Sequence, residues 1–573
     1  MNFTVTGGNA GANITLEQKE ENGILLVQIK MELAEEATPE EFIVSWESPI
    51  IDSFSLWNPA TYQRRTLHCN WAHKEIYGRL ASNMPLQAIV SADSKNRMTA
   101  AISDTKIPTT IGFGVTEETA CFDCAAHFFT QPTNARKDFE ATLRIDTRDI
   151  PFYDAIYDVS RWWEADFGYK PAFVPDAAKL PMYSTWYSFH QQVDVEEIVK
   201  QCALAKELGM ETVIVDDGWQ TADNSRGYAY CGDWEPTPEK VPDMRAFVDA
   251  VHTVGMKFML WYSVPFIGKY TKAFAEFRDM LLCDDPDAVG WAPIDPRYPK
   301  AREYLISLYE NAMREWDLDG FKLDFIDSFA LTERTMQPDS RRDTESLEEG
   351  VDRLMKGVKS RLTAIKPDVL IEFRQSYVGP SIREYGNMLR VGDCPNDAYA
   401  NRESIVDLRL TSGETAVHSD MLMWHYEDTV EAAALQVAGT IFSVPQISVR
   451  IDKLPVSHYN MLRFYLAFIR ENRDVLLNGK LTAKGPEVGY HRACAEKDGK
   501  AVLALYHDTV VREVFDELTV VNVSGEDQFI FCGYNGRKYK VYNCMGELLV
   551  KGKFEKKGPT DVYIPRAGML VVE

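Results

Sequence analysis

From residue 181 to 476 the chain alternates short runs of β-branched and aromatic residues with longer stretches whose apolar residues recur every three or four positions. A strand whose successor is reached through a helix returns parallel to it, so neither an all-helical bundle nor an antiparallel sheet satisfies this pattern. The strand-like runs are 182–189 (MYSTWYSF), 211–218 (ETVIVDDG), 257–264 (KFMLWYSV), 320–327 (GFKLDFID), 368–375 (DVLIEFRQ), 387–393 (NMLRVGD), 416–422 (AVHSDML) and 442–448 (FSVPQIS). Between them lie stretches such as VEEIVKQCALAKELG, MRAFVDAVHTVG, AREYLISLYENAMREW and VDRLMKGVKSRLTAIK, each with one apolar face at helical spacing. Eight strand–helix units, the last closed by a helix over 459–471, predict an α/β protein with a central (β/α)8 TIM barrel.

The flanks carry a different period. Residues 1–150 hold short alternating runs such as GILLVQIKMEL and DFEATLRIDT between Gly, Pro, Asn and Asp clusters, which predicts an N-terminal β-sandwich. Residues 151–180 read as a linker, with Ile156, Val159, Trp162 and Trp163 at helical spacing. After the barrel of 181–476, residues 477–573 return to short runs (AVLALYHD, QFIFCGY, KYKVYNC, DVYIP) and predict a C-terminal antiparallel β-sandwich.

Charge narrows the partners. The 573 residues include 62 Lys and Arg against 86 Asp and Glu, a net charge of −24. Such a field repels nucleic-acid phosphates and anionic lipid headgroups, so neither nucleic acid nor a membrane is expected as a partner. The longest nearly apolar stretch, 432–444, falls short of the ~20 residues a membrane helix needs and stops at Pro445. The ten cysteines are scattered, below the density of a disulfide scaffold, and MNFTVTGGNAG at the N-terminus has no leader pattern. The expectation is a cytoplasmic protein, or a secreted or periplasmic one from which a leader has been removed.

In a parallel barrel the loops after the strands converge on one axial cavity, so strand ends are the candidate functional positions. Strand one ends near Trp186, strand two in Asp216, Asp217 and Trp219, strand three in Trp261, strand four in Lys322, Asp324 and Asp327, and strand six in Arg390 and Asp393. Carboxylates accept hydrogen bonds from hydroxyls while indole faces cover the C–H face of a pyranose, a mixture suited to a neutral sugar. Asp324 and Asp393 each close an apolar strand, and glycoside hydrolysis with retention needs such a pair, one as nucleophile and one as proton donor. Lys322 lies two before Asp324, on the same strand face, where a cation favours an ionised nucleophile. Arg390 is placed to orient substrate or neighbouring carboxylates. Strand-end Asp residues also cap helices, and that alternative stays open for any one of them.

Asp216-Asp217-Gly218-Trp219, Lys322-Leu323-Asp324 and Arg390-Val391-Gly392-Asp393 resemble the DDGW, KxD and RxGD motifs of the α-galactosidase clan, and the chain is most similar to glycoside hydrolase family 36. The resemblance extends to the sandwich–barrel–sandwich order. It implies a retaining, exo-acting α-galactosidase that needs no cofactor and no metal and acts on a neutral oligosaccharide or glycoside. Asp324 is then the nucleophile and Asp393 the acid/base, with the higher pKa of the two. Asp216 and Asp217 match the pair that binds the 4- and 6-hydroxyls of galactose, Lys322 is a further sugar contact, and Trp186 resembles the first-strand tryptophan of that pocket. One stretch departs from the family: residues 374–380, RQSYVGP, stand where many bacterial members carry Cys-x-x-Gly-Gly near the sugar's 2-substituent. An α-N-acetylgalactosaminidase, a raffinose-synthase-type transglycosylase and a non-catalytic carbohydrate-binding barrel are the alternatives, and assembly into a homo-oligomer stays open.

Other features carry less. Cys121-x-x-Cys124 with His127 has the spacing of half a zinc site and no second half. There is no Walker A loop and no G-x-S-x-G elbow. The aromatic stretch YAYCGDW after strand two offers Cys231, Asp233 and Trp234 as pocket-lining candidates, with Asp233 counted among the sugar contacts. Trp57 in the N-terminal domain, and His418, Asp420 and His425 near strand seven, are left without a role, as packing explains them equally well.

Overall fold

The fold is described from a computed structural model covering residues 1–59, 65–72, 75–374 and 376–573. The N-terminal residues build two sheets packed face to face. One has the order Phe3–Gly7, Phe42–Pro49, Cys121–Phe128, Thr109–Thr116, Ile76–Gly78, and the other Asn13–Glu21, Ile24–Ala37, Arg136–Asp146, Asn96–Ile102, Leu86–Val90, Ser55–Trp57. Every pairing between neighbours is antiparallel. Along Ile24–Ala37 buried Val27, Ile29 and Met31 alternate with polar residues, and they meet Phe42, Val44 and Phe128 of the facing sheet. Helix Phe152–Phe167 follows, seating Ile156, Val159 and Trp163 in the core and ending at Gly168, whose φ of 71° is the left-handed terminator.

A closed parallel barrel comes next: β1 Met182–Ser184, β2 Thr212–Val215, β3 Lys257–Ser263, β4 Gly320–Asp324, β5 Leu370–Arg374, β6 Met388–Arg390, β7 Ala416–Leu422 and β8 Val444–Ile447. Several strands stop earlier than their sequence runs. β1 ends at Ser184, and Trp186–Phe189 is a short helix instead of strand, because Thr185 turns to the right-handed helical region. Its aromatic residues fit a pleated strand by propensity alone, which is why the run reads as one. β2, β4 and β6 likewise stop before 218, 327 and 393, and the surplus residues turn inward as loops over the barrel mouth. Gln375, the last residue of the predicted fifth run, lies outside the described residues.

The C-terminal residues form a seven-stranded sheet and a three-stranded sheet around Leu503, Val520, Phe529, Phe531 and Leu570. Their pairings are antiparallel except between Lys500–Leu505 and Glu517–Asn522 and between Val510–Val511 and Gln528–Phe531, which run parallel.

The three parts are locked by buried polar contacts. Trp57 is fully buried and donates its indole N–H to Asp407 of the barrel (3.2 Å) and to Tyr490 of the C-terminal part (3.1 Å), while Arg65 grips Asp407 at 2.6 Å. Trp57 is therefore a junction residue. Arg79 reaches from the N-terminal sandwich to the carbonyls of Asp327 (3.0 Å) and Phe329 (2.9 Å) and to Glu348 (3.1 Å), and the Asn83 amide bonds the Ser376 carbonyl. The first sandwich thus braces the loops after β4 and β5.

Candidate active site

The strand-two pair depends on one glycine. Gly218 has φ 115°, and a Cβ there would lie 2.5 Å from Gln191 Cα, so no other residue permits this turn. The turn brings two consecutive carboxylates to one cavity. Asp216 accepts Lys322 Nζ at 2.6 Å, and its amide donates to Thr185 Oγ1 at 2.9 Å. Asp217 accepts from Gln191 Nε2 (2.6 Å) and Gln220 Nε2 (2.7 Å), and burial pushes its pKa up to about 6 against those bonds. Neither Asp caps a helix.

Asp324 closes β4 and is buried. Trp261 on β3 donates to its Oδ2 at 2.9 Å, the Phe325 amide to Oδ1 at 2.8 Å, and Arg374 Nε to Oδ1 as well. Phe325 sits at φ 66°, an uncommon left-handed conformation for a bulky residue, and this sharp turn keeps the carboxylate facing the axis. Burial pushes the Asp324 pKa up, but the charges of Arg374 and then Lys322 outweigh it and hold the carboxyl below its ordinary value.

Asp393, three residues past β6, is 46% exposed and accepts Arg390 Nη2 at 2.8 Å, with Arg374 Nη1 at 3.4 Å. Here burial again raises the pKa while Arg390, Arg374 and Lys322 lower it, and the net result is a carboxyl held well below the usual range. In the free site both carboxyls are thus held below their ordinary values, Asp393 by Arg390 first and then by Arg374, which reaches both carboxylates, so the site does not keep Asp393 protonated as the acid/base expectation requires.

Beneath this layer the barrel interior is polar. Arg390, fully buried, bonds Asp420, which also accepts the Cys394 amide (2.7 Å) and the Tyr187 hydroxyl (2.9 Å). Glu372 of β5 is pushed by burial up to about 7 despite Arg390 nearby, and it accepts from Gln446. His418 is lowered by burial to about 4, bonds the Ala178 carbonyl at 2.8 Å and lies 3.6 Å from Glu372. Asp420 orients Arg390 from below, His418 is a satisfied interior group, and His425 is exposed and receives the Glu427 amide at 3.2 Å.

Trp186, Asp216, Asp217, Trp261, Lys322, Asp324, Arg390 and Asp393 all line one narrow cavity of about 40 Å³, room for a few water molecules. Two expected sugar contacts are absent from it. Trp219 is buried outside the cavity, donating to the Trp261 carbonyl at 3.0 Å and packing on Trp234 and on Trp316 of helix Pro299–Trp316, so its bulk fills core. Asp233 accepts the amides of Lys272 and Ala273, both at 2.9 Å, and so anchors the start of helix Lys272–Phe277. Cys231 and Trp234 are core as well. A larger depression of about 800 Å³ around Tyr157, Lys179 and Lys480 shares no lining residue with the strand ends. In the N-terminal sandwich, Cys121 and Cys124 alternate in exposure along their strand, and His127 pairs with Glu41 (2.7 Å) and Glu75 (3.0 Å).

Three cavity residues escaped the strand-end list: Arg374, Tyr228 and Phe325. Arg374 ends β5 just as Asp324 ends β4, so the same rule applied to the fifth run finds it. Tyr228 comes from the YAYCGDW loop and stacks 28° off the plane of Trp261 at 6.4 Å. Gln191 and Gln220, which hold Asp217, carry no sequence signal.

Residues 175–372 match the protein-family model described as Melibiase. The α-galactosidase Mel36A of Lactobacillus acidophilus is 27% identical over 162 residues, 26% of this chain and 20% of that protein. The A type blood α-D-galactosamine galactosaminidase of Flavonifractor plautii is 25% identical over 176 residues, 27% of this chain and 15% of that protein. This chain thus covers a fifth or less of the length of these curated relatives. The crystal structure of the GH36 α-galactosidase AgaA from Geobacillus stearothermophilus superposes with a TM-score of 0.66 at 14% identity, over 98% of this chain and 81% of that one. At that identity the likeness is one of fold, and it extends over both sandwiches and the barrel.

Proposed function

We propose a retaining, exo-acting α-galactosidase that works by double displacement, a reading supported by the match of residues 175–372 to the Melibiase model and by a fold like that of the GH36 α-galactosidase AgaA. The observation that carries the reading is the facing of Asp324 and Asp393 across one cavity at the ends of β4 and β6. Asp324, held ionised by Arg374 and Lys322, attacks the anomeric carbon. Asp393 protonates the departing oxygen and then, as carboxylate, takes a proton from the water that attacks the covalent intermediate. A retaining pair needs its carboxyls about 5–5.5 Å apart, and one guanidinium reaching both is consistent with a gap of that order. In the free site Asp393 is ionised, so this mechanism requires a proton to be taken up as substrate binds and water leaves.

Asp216 and Asp217 are the groups suited to hold two sugar hydroxyls, and the narrowness of the cavity suits a terminal residue rather than an internal one. Turnover of a panel of aryl α-glycosides carrying galactose, N-acetylgalactosamine, glucose or xylose, with the anomer released first read by NMR, tests the proposal. α-Galactose released first from the galactoside supports it; β-galactose, or no turnover of any member, sinks it. The N-acetylgalactosaminide tests the specificity named for the Flavonifractor relative, and product analysis with excess sugar acceptor separates hydrolysis from transglycosylation.

A further inference from the structure

The guanidinium of Arg374 lies between the Asp324 and Asp393 carboxylates in the cavity at the barrel mouth. Its Nε bonds Asp324 and its Nη1 stands 3.4 Å from Asp393 Oδ2, while its Cζ lies 4.7 Å from the Phe325 ring centroid. The cavity around it has room for only a few water molecules, far less than a hexose needs. The two ends of the contact differ. Nε, nearer the backbone, is fixed on a buried carboxylate, and β5 just beyond is braced by the Ser376 hydroxyl on Asp327 and by Asn83 of the N-terminal sandwich. The Nη1 end meets a half-exposed carboxylate at a longer distance.

We propose that Arg374 is a positioning residue that bridges the two carboxylates in the free protein, and that an entering galactose displaces its outer end from Asp393 while the inner end keeps Asp324 in place. This rests on the galactosidase reading above. Asp393 is faced by Arg390 from β6, Lys322 from β4 and Asp420 from β7, with Tyr187 beyond. Arg390 keeps the shortest contact to Asp393, 2.8 Å, and is anchored on Asp420, and Lys322 is anchored on Asp216, so Arg374, at 3.4 Å, is the cation of the three that an entering ring can move away from Asp393. Once it leaves, the carboxyl gains proton affinity at the moment a general acid is required. The device keeps both carboxylates paired while the pocket is empty and prepares the acid only when a ring is in place.

The test compares a basic iminosugar, 1-deoxygalactonojirimycin, with neutral galactose as ligands for wild type, Arg374→Gln and Arg374→Lys, by calorimetry. Removing a cation from the centre of the site favours the cationic ligand, so in Arg374→Gln the iminosugar-to-galactose affinity ratio should rise at least tenfold, and Arg374→Lys should keep it within threefold of wild type. A variant that merely damages the fold weakens both ligands and leaves the ratio alone; that result overturns the proposal. A second measurement isolates Asp393: at pH 6 wild type should take up more protons per galactose bound than Asp393→Asn, read from the dependence of binding heat on buffer ionisation enthalpy, and equal uptake in the two also overturns it. If wild type binds neither ligand, the galactoside reading falls and this proposal falls with it, whereas binding with an unchanged ratio removes Arg374 alone.

Discussion

Trp261 on β3 donates its indole N–H to the carboxylate of Asp324 on the adjacent β4 at 2.9 Å, and both side chains are buried. A bond to a buried charge contributes about 1.5–3 kcal/mol and favours the ionised form. In Trp261→Phe the Asp324 pKa should therefore rise, moving the acidic limb of the kcat/KM profile to higher pH, and kcat should fall roughly tenfold or more. An acidic limb that stays put would show that the indole does not act on the nucleophile.

Asp324→Gly should reduce hydrolysis of an aryl α-galactoside by more than about a hundredfold, a loss of ~3 kcal/mol or more. Azide should restore turnover by filling the vacated space, and the product should be β-galactosyl azide. A variant that keeps more than about a hundredth of wild-type kcat without azide would falsify the assignment.

Asp393→Ala should spare substrates with good leaving groups, which need little protonation as the bond breaks, and penalise unactivated oligosaccharides far more. Single-turnover measurement of the first step on a dinitrophenyl galactoside and on a natural disaccharide decides this. Equal losses point to another proton donor.

Asp217 is held on both oxygens by Gln191 and Gln220 and is pushed by burial to about 6, so it faces the cavity as a preset acceptor. If it receives the axial 4-hydroxyl, an equatorial one leaves this buried carboxylate one charge-assisted bond short at a cost of about 2–4 kcal/mol, a thirtyfold to thousandfold preference for galactose over glucose. Asp217→Asn should compress that ratio in kcat/KM. Equal wild-type rates on matched α-galactoside and α-glucoside would remove the galactose specificity.

Glu372 has a folded pKa of about 7, above the ordinary 4.5, so the folded state holds its proton more tightly and its contribution to stability falls as pH rises from about 4.5 to about 7. His418 has the opposite sign: its folded value of about 4 lies below 6.5, so its contribution grows as pH rises through that interval. In Glu372→Gln only the histidine effect remains. The Tm of the variant relative to wild type should increase steadily from pH 5 to pH 7; parallel Tm–pH curves would show that Glu372 does not titrate there.

The barrel was legible because parallel strands buried on both faces must be nearly continuous apolar runs, and each such run ends where its polar residues begin. LDF and VGD show this, and the strand-end rule led directly to Asp324 and Asp393. The sandwiches followed from the period of two, though not the two parallel pairings in the second, since register between distant strands leaves no local trace. The linear chain also treats DDGW and YAYCGDW as uniform motifs, with no record of which side chain turns inward.

Only tertiary structure separated them. Gly218 directs Asp216 and Asp217 to the axis and leaves Trp219 to pack on Trp316, a residue 97 positions away in the chain. Asp233 looked like a sugar ligand and anchors a helix start because the loop carrying it lies against helix Lys272–Phe277. Electrostatics diverged most. The sequence alone determined that two carboxylates meet at the barrel mouth, and mechanism implied that one is kept protonated. What the folded site does to their proton affinity depends on the sum of charges within a few ångströms, and Arg374, Arg390 and Lys322 come from three different strands. That sum exists only once β4, β5 and β6 lie side by side.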